Sequence, residues 1–146
     1  MELEEKIDLL TGKDQYAGYE ACTELLAESR QSDAVYAYLD RFAEMLGSKN
    51  SYARTRALLL IAANAGWDAS GKIDELLDRY LAHILDEKPI TSRQCIQALP
   101  ELAASKPQLK ERILRALETA DLSQYKDTMR PLIEKDIAAA AEQIKK

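Results

Sequence analysis

A chain of 146 residues with 25 acidic and 20 basic side chains carries a formal charge of −5, the opposite of what a protein that neutralises many phosphates usually shows. Its 5 Gly and 4 Pro are too few for an all-β chain that turns roughly every eight to twelve residues. Ala, Leu, Glu, Lys, Gln and Arg dominate and favour helix. The length predicts one domain, residues 1–146, with room for a sizeable core. The start, MELEEKIDLL, lacks the basic-then-apolar order of a targeting signal. The longest apolar run, Ala57 to Ala63, is seven residues and too short to span a bilayer. Cys22 and Cys95 lie far apart inside amphipathic patterns, as two small buried side chains in a reducing compartment would. The expectation is a cytoplasmic protein.

Eight helices follow in chain order. The first covers about Leu3 to Leu10 and stops at Gly12. The second, about Gln15 to Ser29, follows Asp14 as N-cap and repeats Cys22, Leu25, Leu26 and Ser29 at helical spacing. The third, about Ala34 to Leu46, has Asp33 in front and Gly47 behind. The fourth, about Tyr52 to Ala65, starts after Ser51 and closes on Gly66-Trp67, where a left-handed C-cap with an apolar fold-back is expected. The fifth, about Lys72 to Asp86, carries one stripe of Ile73, Leu76, Leu77, Tyr80, Leu81 and Ile84. The sixth, about Ser92 to Ala104, contains Pro100, where a bend is expected. The seventh, about Lys106 to Thr119, has Pro107 in its first turn. The eighth covers about Thr128 to Ile144.

A period runs through these helices. Arg56, Arg93 and Arg130 recur every 37 positions, each near the start of an even-numbered helix. Tyr16, Tyr52 and Tyr125 recur just upstream of three of the apolar runs. Self-similarity at 20–50 residues is the signature of a solenoid, in which each helix pair buries its apolar side only against its neighbours. A four-helix bundle would use fewer and longer helices. The fold class expected is all-α, a right-handed α-α superhelix of about eight helices in four pairs.

The run SYARTRALLLIAANA, Ser51 to Ala65, resembles the second helix of a HEAT repeat: a short polar residue, an arginine, then an Ala/Leu-rich stretch. Arg93 with Gln-Cys-Ile-Gln-Ala-Leu, and Arg130 with Pro-Leu-Ile, are weaker copies. Pro100 departs from the pattern, because the family's prolines usually lie in the first helix of a pair. The whole chain is similar to small bacterial HEAT-like proteins. Distantly, it is also similar in fold to bacterial DNA alkylation repair proteins. The resemblance implies arginines that fix the stacking of neighbouring units and even-numbered helices that line a concave surface.

Reactive chemistry finds no candidates. His83 is the sole histidine, and it is expected at the margin of the fifth helix's stripe with its ring reaching toward water. CxxC, HExxH, a glycine-rich phosphate loop and a nucleophile elbow are all missing from the sequence. The acid pairs Glu4-Glu5, Asp74-Glu75 and Asp86-Glu87 point in different directions and are expected on solvated faces. No catalytic residue, metal ligand or cofactor is assigned. The candidate partner-binding residues are Tyr52, Arg56, Arg93 and Arg130, as a guanidinium row beside an aromatic ring, and Trp67, as an anchor in a turn. Of Tyr36 and Tyr38, two positions apart, one is expected exposed.

The function expected is a non-enzymatic interaction scaffold that binds a protein on its concave face, as a monomer or weak homodimer. The alternatives are an alkylation-repair-like DNA-binding protein, against which the charge argues, and an accessory factor to a larger enzyme.

Overall fold

The computed structural model describes residues 1–146 and is all-helical, with no strand. Eight α-helices follow one another: α1 Leu3–Leu9, α2 Gln15–Ser29, α3 Leu39–Met45, α4 Ser51–Ala63, α5 Lys72–Leu81, α6 Pro89–Ser105, α7 Lys110–Glu118 and α8 Arg130–Lys145. Several boundaries differ from those expected, and the differences have local causes. The third, fifth and seventh helices tighten at one end into 3-10 turns, Val35–Tyr38, Ala82–Leu85 and Pro107–Leu109. Helix α4 is capped by Asn50, whose Oδ1 accepts the Tyr52 amide at 2.8 Å, so Ser51 lies inside it. Helix α6 begins at Pro89, earlier than expected, because a proline in the first turn has no amide to leave unpaired. It then runs to Ser105 without a break at Pro100.

Two further expectations are corrected. Gly66 makes no left-handed cap: Gly71, with φ 81°, is the one residue of positive φ, and Gly66 lies in the 3-10 turn Ala65–Trp67. Gly71 precedes α5, where a side chain would be strained, and Asp68 supplies the missing cap by accepting the amides of Lys72 and Ile73. Tyr36 and Tyr38 are both half-buried. They lie on a 3-10 turn, where residues two apart diverge less than on an α-helix.

The even-numbered helices pack on one another in chain order. Helix α2 packs on α4, α4 on α6, and α6 on α8. Alongside them, α1 rests on α2, α3 on α4 and α7 on α8, while α5 meets α6 through its 3-10 extension. A helix sandwiched on several sides must be apolar nearly all round. Helix α4 is: Ala53, Ala57, Leu58, Leu60, Ile61 and Ala62 are all buried. One continuous core of 34 buried residues extends from Ile7 to Ile144.

Polar side chains lace the turns together at both ends of these helices. At one end, the Tyr36 hydroxyl donates to Asp68, and Lys106 Nζ reaches Asp68 Oδ2 at 2.9 Å and Asp74 Oδ1 at 2.8 Å. This seam joins the turns that precede α3, α5 and α7. At the other end, Arg54 grips Asp86 with two bonds of 2.8 and 2.9 Å and also donates to the carbonyls of Ser48 and Lys49. Tyr125 in turn donates its hydroxyl to the Asp86 carbonyl at 2.6 Å, and Arg130 donates to the Tyr125 carbonyl at 2.7 Å. This second seam joins the turns that precede α4, α6 and α8.

Asp86 is therefore not on a solvated face, as its neighbourhood in the sequence suggests; it is buried at 6 % exposure. Burial alone would raise its carboxyl, but Arg54, the Lys88 amide and His83 hold it below the usual carboxylate range. His83 turns inward to meet Asp86 Oδ2 at 2.7 Å instead of reaching for water.

Candidate functional site

A groove of about 640 Å³ lies over α2, α4 and the start of α6. Its position follows from the helix sequences. On α2, Tyr19, Thr23 and Leu26 fall on a face that leaves the core. On α4, Tyr52, Thr55 and Leu59 share the next face, and on α6 Ile90 and Thr91 complete the surface. The Thr55 and Thr91 hydroxyls meet at 2.9 Å and tie α4 to α6 beneath the groove. Tyr19, Tyr52 and Ile90 stand 66 %, 57 % and 60 % exposed, so large apolar side chains crowd an uncovered surface.

Arg56 forms the inner wall. It is 6 % exposed, yet no carboxylate reaches it. Nη1 donates to the Leu10 carbonyl at 2.9 Å and Nη2 to the Gln15 carbonyl at 3.0 Å, which closes the turn between α1 and α2. The Tyr52 ring lies 5.6 Å from the guanidinium carbon, a cation–π contact. The group fits because residue 18 is glycine: a Cβ there would lie 2.7 Å from Arg56 Cζ. Burial without a counter-charge pushes the Arg56 guanidinium below its usual value.

The electrostatics of the groove run against those of the chain. Its 15 lining residues include Arg56 and Lys88 and no aspartate or glutamate. Lys88 is exposed and makes no ion pair. It precedes α6, whose N-terminus has no side-chain cap, and the amides of Ile90 and Thr91 meet no protein acceptor. On the opposite wall, Gln15 Oε1 is buried without a hydrogen-bond donor. Cys22 lies at the groove's base, and burial pushes its thiol up to about 11. No three His, Cys, Asp or Glu side chains gather as a metal-holding cluster.

The residues singled out in the sequence separate. Tyr52 and Arg56 come together in the groove. Arg93 does not join them, because its Nε is bound to Asp136 of α8 at 2.6 Å. Arg130 borders a distinct shallow depression with Leu122 and Ser123. Arg54, two positions before Arg56, is held by Asp86. Trp67 lies elsewhere and caps α2, not the fourth helix: its Nε1 donates to the Ser29 carbonyl at 2.8 Å. The groove residues that the sequence did not single out are Tyr19, Leu26, Leu59 and Ile90. Tyr19, Leu59 and Ile90 are apolar residues left over once each helix's core stripe is assigned, whereas Leu26 belongs to the stripe of α2 and lies at its edge, partly buried against the core.

Comparison of the chain with protein-family models, curated proteins and solved structures gives no match. No helix is long and apolar enough to cross a membrane.

Proposed function

We propose that the chain is a short HEAT-like solenoid, a right-handed stack of four helix pairs, that acts as a non-enzymatic adaptor holding an extended segment of a protein partner across α2, α4 and α6. The stacked-pair reading is supported by bonds that join equivalent places one unit apart. Tyr36 to Asp68 and Arg54 to Asp86 are each 32 positions apart, Arg112 to Asp78 is 34, Thr55 to Thr91 is 36, and Lys106 to Asp68 is 38. Repeat units that contact only their neighbours bond at such separations.

The observation that carries the binding reading is the groove itself, an uncovered apolar surface ringed by Tyr19, Tyr52 and Ile90 on consecutive even-numbered helices. Its volume falls in the range of ligand sites, roughly 300–1,000 Å³. Aromatic side chains give large contact area at low entropic cost.

Selection from a displayed random-peptide library tests this function. Peptides that bind the wild-type chain should lose binding to Ile90→Asp and Tyr19→Asp variants and keep it for Trp67→Phe. Failure to recover any peptide that depends on the groove would overturn the adaptor reading.

A further inference from the structure

The lining of the groove says more than that something apolar fits it. Arg54 and Arg56 are equally buried, at 6 % each, and two positions apart on α4. Arg54 holds a bidentate carboxylate, whereas Arg56 holds two carbonyl oxygens and a tyrosine face. A buried cation without a carboxylate is costly unless something completes it. A guanidinium has five N–H donors; the protein uses two, so three are left for a ligand. Lys88 and the free amides that open α6 lie across the groove and are likewise unanswered. In a chain with 25 acidic residues, the 15-residue wall contains Arg56 and Lys88 and no acid over an apolar floor.

We propose that the occupant of the groove is an extended acidic peptide segment in which one internal Asp or Glu carboxylate pairs with Arg56, aliphatic or aromatic residues fill the floor beside Tyr19, Leu59 and Ile90, and a second acid meets Lys88. The pairing rests on the adaptor reading above and gives it a ligand chemistry. A carboxylate matches the planar fork of a guanidinium with two parallel bonds. Packed helices lie about 8–10 Å apart and an extended chain rises about 3.3 Å per residue. The two acids should therefore be separated by about three residues.

The selected peptides test the proposal directly. They should share an acid, apolar residues and a second acid at that spacing. Synthetic copies with the first Glu or Asp changed to Gln or Asn should bind about tenfold more weakly, the value of one charge-assisted bond. Copies with only the C-terminal carboxylate amidated should bind unchanged. Lys88→Glu, a surface change, should weaken binding severalfold and flatten its salt dependence. Arg56→Gln should abolish binding, but Arg56 also closes the α1–α2 turn, so the ligand-side changes decide the matter.

Groove-dependent peptides that carry no acid, or that lose nothing on Glu→Gln, overturn this proposal and leave the adaptor reading standing. A full loss on C-terminal amidation overturns it in favour of a chain end. Recovery of no groove-dependent peptide overturns both, as does saturation of the groove by laurate or by a second copy of this chain in sedimentation while peptides fail.

Discussion

Gly18 on α2 faces the guanidinium of Arg56 on α4 so closely that the missing side chain of one makes room for the charged end of the other. The helix therefore tolerates a weak helix former in its first turn. Gly18→Ala improves helix propensity by about 1 kcal/mol but pushes Arg56 off the Leu10 and Gln15 carbonyls. Overpacking of this kind costs about 1–3 kcal/mol. The variant is expected to be less stable in urea than the wild type and to lose peptide binding along with stability. A gain in stability would show that Arg56 moves aside freely.

Arg54 and Asp86 form a deeply enclosed ion pair, with side chains 7 % and 3 % exposed. Removing one partner leaves the other charge buried alone, which costs about 3–5 kcal/mol. Asp86→Ala and Arg54→Ala should each approach that loss in chemical denaturation. The pair Arg54→Met with Asp86→Leu should cost far less than the sum of the single changes.

The acid limb of stability belongs to Asp68 and Asp86. Burial would raise both carboxyls, but Tyr36 and Lys106 around Asp68, and Arg54 around Asp86, hold each below 3.8. Groups depressed in the folded state stabilise it fully at neutral pH and lose that contribution as the pH falls through and below their unfolded value. Stability measured by urea denaturation should decline below about pH 4. Asp86→Asn should lower stability at pH 7 yet flatten this acid limb.

Neither thiol should react in the folded protein. Cys22 and Cys95 are buried, and burial raises both, Cys22 to about 11. Only the thiolate is nucleophilic. An aromatic disulfide reagent at pH 8 should label neither residue at a useful rate and both at once on addition of denaturant. Rapid labelling of Cys22 alone would mean that the base of the groove opens.

The helical class and most elements were legible because core stripes repeat at helical spacing and good N-caps precede them, as Asp14 does α2. The site was half legible. The 37-residue recurrence points to Arg56 and the upstream tyrosines point to Tyr52, but the same recurrence groups Arg56 with Arg93 and Arg130, which the structure disperses. A shared register places the Cα atoms alike and leaves the partner undecided. Arg93 meets Asp136 because α8 happens to offer an acid there, while Arg56 meets carbonyls and the Tyr52 ring but no acid. Asp86 was misplaced on the surface because nothing local in Asp86-Glu87 announces a guanidinium 32 positions upstream. Ile90 carries no helical signal in the sequence because the polar Thr91-Ser92 pair places the expected start of the sixth helix after it, whereas α6 begins at Pro89.

The seam from Ser48 through Arg54, Asp86 and Tyr125 to Arg130 bears on how the molecule comes apart. Arrays of helix pairs commonly melt piecemeal from their ends, since each pair depends on its neighbours alone. Here one residue, Asp86, ties together the turns that precede α4, α6 and α8. Slow amide exchange should therefore be lost together in α4, α6 and α8, with α1 fraying first and independently.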